Sequence, residues 1–359
     1  MIPKRSTPKR RGSSIDPPNR FEAVHQTPDF EHLEHEEMLD APRVVPTQFL
    51  ADASRSIITS NDSPDVGFRW SINPYRGCEH GCAYCYARPT HETLGLGAGL
   101  DFETKILVKH DAPLLLRDEL CRSTWTGETI AISGVTDCYQ PAERRYRLTR
   151  GLLEVMLEAR QATSIITKNA LVLRDLDLLA PMAAMNLVHV NVSVTTLDFE
   201  LARTMEPRTS APETRLKAIR ELSAAGVPVR VLVAPVVPGL NDSEIPSILA
   251  AAAKAGAREA SYVMLRLPLA VLPVFEHWLE ERYPMKKDRV LQLVRSARDG
   301  RKSDSQFGRR MVGQGPYAEQ IGATFRVFKT KHGLEGPLPP LDHSLFRPPR
   351  AGHGQMSLF

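Results

Sequence analysis

Asn73-Pro-Tyr-Arg-Gly-Cys78-Glu-His-Gly-Cys82-Ala-Tyr-Cys85 is the stretch on which the reading of this 359-residue chain turns. Three of the five cysteines fall within eight residues, spaced Cys-x3-Cys-x2-Cys, directly after an apolar run at 68–73. Five cysteines give no disulfide framework, and such clustering points to metal rather than to cross-links. Gly77 and Gly81 allow a short loop to wrap tightly. One reading is structural zinc, with His80 or His91 as a fourth ligand, although zinc sites more often show two separated Cys-x2-Cys pairs.

The other reading is an iron–sulfur cube, whose irons are held by thiolates. Cys78, Cys82 and Cys85 can bind three irons of a [4Fe-4S] cluster from one loop. The fourth iron then lacks a protein thiolate and is open to a chelating ligand. The amino and carboxylate groups of S-adenosyl-L-methionine (SAM) suit that position. An electron from the cluster would cleave the sulfonium and yield a 5′-deoxyadenosyl radical. Tyr84, beside the last cysteine, resembles the aromatic that radical SAM loops place against the adenine, a resemblance that implies the same contact here.

Outward from the loop, short apolar runs alternate with helical stretches. Strands are expected at 68–73, 129–133, 164–167, 188–194, 227–233 and 261–265. Helices are expected near 112–121, 148–161, 172–185, 212–225, 243–255 and 273–283. Several strands are continuous apolar runs, as strands buried on both faces should be. Six βα units predict an α/β fold with a parallel sheet, a partial (β/α)6 TIM-like barrel, with a doubly wound open sheet as the alternative. Either architecture places chemistry in loops leaving the C-terminal ends of the strands. Ser210 and Asn241-Asp242-Ser243 read as helix caps.

On these residues the chain resembles the radical SAM superfamily over 68–270, and within it the spore photoproduct lyase group. Ile132-Ser-Gly-Val-Thr-Asp137 resembles that group's Ser-Cys-Thr-Ser-Asp turn, which implies SAM contacts for Thr136 and Asp137. Ile166-Thr-Lys168 resembles Val-Thr-Lys, implying that Lys168 meets the SAM carboxylate, and Val192-Ser193-Val194 resembles Phe-Ser-Ile, implying a contact from Ser193. Met205-Glu-Pro-Arg-Thr-Ser210, Val233-Ala-Pro235 and the glycines from Gly308 to Tyr317 follow in the same order. One position departs. The lyase turn carries a hydrogen-donating cysteine where this chain has Gly134, so Cys138, four residues on, is the candidate catalytic thiol; core filling is its alternative. Cys121 reads as core filling.

The remaining organisation is expected as a disordered basic tail at 1–20, an extension at 21–67, the core barrel at 68–270, a helical and Gly-rich extension at 271–330, and a flexible tail at 331–359. The net charge of +4 is uneven: residues 1–20 carry six Lys/Arg against one Asp, and 285–310 carry nine against three. Such segments suit nucleic acid as a partner. Gln355-Met356-Ser357-Leu358-Phe359 resembles the bacterial sliding-clamp-binding peptide, making a clamp a second expected partner. A reducing partner such as a flavodoxin or ferredoxin is implied by the radical chemistry. No apolar run is long enough to span a membrane and no secretory leader is apparent, so a cytoplasmic location is expected. Function therefore divides three ways: a radical SAM enzyme of DNA repair or nucleobase lesions, a radical SAM modification of RNA, protein or a small metabolite, or a non-catalytic cluster-bearing sensor or scaffold.

Overall fold

The computed structural model describes residues 10–22 and 44–350, so the expected clamp peptide lies outside the described residues. Ten strands form two sheets: β1 Gln48–Ala51, β2 Ile58–Ser60, β3 Trp70–Ile72, β4 Tyr75–Arg76, β5 Lys105–Val108, β6 Ile130–Ile132, β7 Thr163–Thr167, β8 Val188–Ser193, β9 Val229–Val236 and β10 Glu259–Met264. The large sheet runs β10-β9-β8-β7-β6-β3-β2, parallel from β3 to β10, with β2 antiparallel at one edge. A small sheet, β1-β5-β4, stands beside it.

The six expected strands are present, and their order separates the two candidate architectures. A doubly wound sheet reverses direction at a switch point. Here each new strand joins the same side of the last, from β3 through β6, β7, β8 and β9 to β10. That order is the one of a partial (β/α)6 barrel.

Side-chain alternation within the strands defines two faces. Val229, Val231 and Val233 are buried in the main core, together with Leu152, Leu153, Leu179, Ile219, Leu222, Ile248 and Leu249 from the helices. The intervening positions were expected to be buried and apolar too. Instead Ser164, Asn191 and Arg230 occupy them, and Asn191 Nδ2 donates to Ser164 Oγ at 3.0 Å and to the Ile165 carbonyl at 2.9 Å. This face is therefore mixed, with Ile166 and Leu232 beside these polar groups.

The segments outside the barrel are better ordered than their composition implies. Residues 10–20, expected to be disordered, include the buried Arg11, Ser13 and Asn19. Arg11 donates to the Glu103 carbonyl at 2.9 Å and the Val45 carbonyl at 2.7 Å. Backbone hydrogen bonding, invisible to a hydropathy reading, holds this strap. Residues 331–350, expected to be flexible, pass along the N-terminal ends of the strands: Leu334 is fully buried, the Pro339 carbonyl meets His189 Nε2 at 2.6 Å, and His343 Nδ1 meets the Gly127 carbonyl at 2.9 Å. Helix Pro316–Lys331 occupies much of the stretch read as a Gly-rich connection. Four of the nine cations of the basic 285–310 segment, Lys287, Lys302, Arg309 and Arg310, each face a carboxylate. Among the described residues no helix is long and apolar enough to cross a membrane.

The two expected caps serve elsewhere. Ser210 Oγ donates to Asn169 Oδ1 at 3.1 Å and accepts the Ala170 amide at 2.9 Å, joining the loops after β7 and β8. Asn241 is fully buried; its Nδ2 donates to the Thr195 carbonyl at 2.7 Å and the Pro235 carbonyl at 3.0 Å, and its Oδ1 accepts the Val237 amide at 2.6 Å. Asn241 thus ties the exits of β8 and β9. Asn241→Ala strands three buried polar partners and should lower the unfolding free energy by on the order of 3 kcal/mol. Chemical denaturation checks this, and a loss below about 0.5 kcal/mol would show that the tie carries no stability.

Candidate active site

The cysteine loop leaves the end of β3, as the fold requires of a functional loop. Its backbone conformation is fixed from both sides. Gly81 has φ +64°, and a Cβ there would lie 2.5 Å from Glu103 Oε2. Within the loop, the Cys78 amide donates to the Phe102 carbonyl at 2.9 Å and the Ala83 amide to the Met205 carbonyl at 3.0 Å. Arg88 is fully buried beneath it. Its Nε and Nη2 donate to the Cys82 carbonyl at 3.1 and 2.9 Å, its Nη1 to the Gly99 carbonyl at 2.7 Å, and its Nη2 to Glu103 Oε1 at 2.5 Å. Glu103 in turn accepts the Gly12 amide at 2.9 Å. One buried ion pair therefore organises the loop and anchors the strap.

Cys78, Cys82 and Cys85 are free, and no other cysteine joins them. Burial pushes up the Cys78 thiol first, and Asp137, Cys85 and Cys82 raise it further. Burial also raises Cys82 and Cys85, while Lys168 counteracts the rise at both. Three thiols raised chiefly by burial need a strongly cationic acceptor to become thiolates. Three thiols on one loop are the donor types of a cluster with three protein ligands, although among the described residues no three His, Cys, Asp or Glu side chains already stand together as a metal site. The same donors fit zinc poorly. His80 Nδ1 faces Asp137 Oδ2 at 3.4 Å and its Nε2 lies 3.2 Å from Asn169 Nδ2, while His91 Nε2 meets the Lys105 carbonyl at 2.9 Å. His80 is thus committed at both ring nitrogens and His91 at Nε2, while the buried Nδ1 of His91 has no hydrogen-bond partner.

The loops after β6, β7 and β8 converge on this one. Asp137 Oδ1 accepts Thr167 Oγ1 at 2.8 Å and the Tyr139 amide at 2.9 Å; its Oδ2 accepts the Lys168 amide at 2.7 Å. Burial would raise this carboxyl, but His80 and these amides hold it below the usual range. Asp137 thus acts as a brace between loops. Thr136 Oγ1 donates to the Tyr75 carbonyl at 3.0 Å and its amide to Asn73 Oδ1 at 3.1 Å, a brace of the same kind. Lys168 Nζ reaches the Ala234 carbonyl at 3.3 Å and stands near Cys82, Cys85 and Glu206. Ser193 closes β8, and its carbonyl accepts Arg215 Nη1 at 3.2 Å.

Tyr84 is buried, with its hydroxyl donated to Glu206 and its ring packed among Cys82, Leu201 and Met205. Glu206 is the part the sequence reading left without a role. It also accepts Thr195 Oγ1 at 2.7 Å and Arg215 Nη2 at 2.5 Å. Burial would raise Glu206, yet Arg215 and Lys168 bring it below the usual carboxylate range. Only the spacing Glu206-Pro-Arg-Thr-Ser210 hinted at this buried pair.

Cys138 differs from its expected catalytic part. It is fully buried in the main core, its amide donates to Ser133 Oγ at 2.7 Å, and its carbonyl accepts Thr149 Oγ1 at 2.7 Å. A thiol without exposed surface cannot meet a substrate in this arrangement; the small-hydrophobe alternative describes it. Cys121 is the opposite case: it is exposed, with its thiol donated to the Pro349 carbonyl at 3.2 Å.

Comparison with known proteins gives three findings. Residues 72–252 match the radical SAM superfamily. An uncharacterized protein of Mycobacterium tuberculosis is 41% identical over 230 residues, 64% of this chain and 68% of that protein, and one of Methanocaldococcus jannaschii is 29% identical over 224 residues, 62% and 80%. Among solved structures, spore photoproduct lyase complexed with dinucleoside spore photoproduct superposes with a TM-score of 0.56 at 18% identity, covering 79% of each chain. At that identity the likeness is one of fold.

Arg88→Met should leave Glu103 buried without its partner, at a cost on the order of 3–5 kcal/mol. Iron and sulfide per chain after anaerobic reconstitution should fall severalfold and the melting temperature should drop. Iron content equal to the unaltered chain would show that the loop holds its shape without the pair.

Proposed function

The chain belongs to the radical SAM superfamily, and we propose from that premise that Cys78, Cys82 and Cys85 hold a [4Fe-4S] cluster that presents SAM for reductive cleavage. The Cys-x3-Cys-x2-Cys spacing of three free thiols on one braced loop, Cys78 and Cys82 buried and Cys85 half-buried, at the C-terminal ends of six consecutive parallel strands, carries this reading. When bound, the cluster supplies the electron and the open coordination position. The chain supplies placement. Lys168, pinned by the Ala234 carbonyl, offers its ammonium to the SAM carboxylate, and Ser193 offers a polar contact from β8. Asp137 and Thr136 lock the surrounding loops rather than touching the ligand, and the burial of Cys78 and Cys82 limits the access of water from their side. Tyr84, its hydroxyl fixed on Glu206, is the aromatic offered to the adenine.

For the substrate we favour a nucleobase lesion or other modified base in DNA. The fold shared with spore photoproduct lyase supports this, as does the basic N-terminal sequence. Gly134 in place of the lyase cysteine, together with the burial of Cys138, implies that the product radical is quenched by another group. Anaerobically reconstituted protein, given SAM, dithionite and ultraviolet-irradiated DNA, should release 5′-deoxyadenosine and methionine and reduce the lesion content seen by mass spectrometry. Cys78→Ala, Cys82→Ala or Cys85→Ala should each lose both. Iron-loaded protein without SAM cleavage would overturn the enzyme reading; cleavage with intact lesions would move the substrate to RNA, protein or a small metabolite.

A sliding clamp is the partner proposed for Gln355–Phe359. The strap that precedes this peptide is fastened by the Arg350 amide on Glu158 Oε1 at 2.9 Å and by Arg117 Nη1 on the Arg350 carbonyl at 2.8 Å. Deleting the last five residues should abolish co-elution with the clamp, and unchanged co-elution would dismiss this contact.

A further inference from the structure

We propose that Arg266, with Tyr86 and Arg310, forms an anion site at the barrel mouth that takes a backbone phosphate of a single-stranded nucleic acid, an inference that rests on the function proposed above. Arg298 builds the place. It is buried, and its guanidinium donates to the carbonyls of Leu265 at 3.0 Å, Met264 at 3.4 Å and Arg310 at 3.2 Å. This clamps the exit of β10 to the turn at 307–311 and brings Arg266 toward Arg310 despite their like charge.

The three guanidiniums are unequally compensated. Arg310 pairs with Asp65, bonds Ser63 and lies 4.4 Å from the Phe307 ring centre. Arg298 is spent on carbonyls. Arg266 has no carboxylate partner among the described residues; its Nε is buried without a hydrogen bond, and its Nη1 reaches only Met311 Sδ at 3.5 Å. Burial and Arg310 both disfavour its charge, with Tyr86 and Asp65 as weaker support. A cation held under such repulsion is satisfied by an anion that brings several acceptor oxygens, and a planar guanidinium fork matches phosphate.

Tyr86 selects among anions. It immediately follows Cys85, it is 49% exposed, and its hydroxyl is donated to the Gly134 carbonyl, which fixes the ring. Arg266 stands 5.6 Å from the ring centre. A rigid aromatic face beside an uncompensated guanidinium is the pairing that unpaired nucleotides use, base on ring and phosphate on cation. Val135, also exposed, extends the apolar side of this mouth. The position sets the held nucleotide against the cysteine loop.

The test is fluorescence anisotropy of reconstituted protein with a 5′-fluorescein-labelled twelve-nucleotide oligothymidylate at several salt concentrations. Arg266→Gln should weaken binding about tenfold and lower the slope of log K against log salt by about one. Arg266→Lys should keep the slope while losing part of the affinity, and Tyr86→Leu should weaken binding at an unchanged slope. Equal melting temperatures of the variants establish folding. No binding by the unaltered protein, or Arg266→Gln binding with full affinity and slope, overturns the site. SAM cleavage by the unaltered protein is measured in the same preparation. Cleavage without oligonucleotide binding removes this site and keeps the proposed function; binding without cleavage does the reverse.

Discussion

Holding three thiols on one eight-residue loop is the constraint around which the rest of the structure is arranged, and the buried Arg88–Glu103 pair meets it. A loop that tight turns its carbonyls inward, where unpaired acceptors are costly. One guanidinium satisfies the loop carbonyls of Gly81 and Cys82 and, beyond the loop, those of Ala98 and Gly99, and Glu103 neutralises it while catching the Gly12 amide. The strap at 10–20, helix Leu100–Thr104 and the loop thereby become a single unit. A second buried pair, Arg215–Glu206, serves the opposite side through Tyr84 and Thr195. The cysteines lie between two ion pairs that have no exposed surface.

Much of this was legible in the sequence, for identifiable reasons. Strands such as β8 and β9 place valine at every second residue toward the helices, so their apolar character survives a linear reading. The cysteine spacing carries its own geometry. The partial barrel was distinguished from the open sheet only by strand order, which no local pattern encodes. The polar groups on the face away from the helices were missed because Ser164, Asn191 and Arg230 interrupt the apolar runs too briefly to register.

The misreadings share a cause. Ser210 and Asn241 are residue types that cap helices, yet the same short polar side chains tie strand exits when a buried carbonyl is closer. Residues 10–20 look unstructured because their stabilising partners are backbone atoms and distant carboxylates. Cys138 takes the core-filling alternative to its catalytic part, whereas Cys121, expected in the core, is at the surface beside Pro349. Burial of a single residue depends on tertiary partners, and spacing does not supply it.

The account stands on a cluster with an open position for SAM. The most direct measurement is electron paramagnetic resonance of the reconstituted, dithionite-reduced protein before and after SAM is added. The account predicts the signal of a reduced [4Fe-4S] cluster whose shape changes on adding SAM, and its disappearance when Cys82 becomes alanine. Zinc in place of iron, or a cluster signal that SAM leaves unaltered, would contradict it.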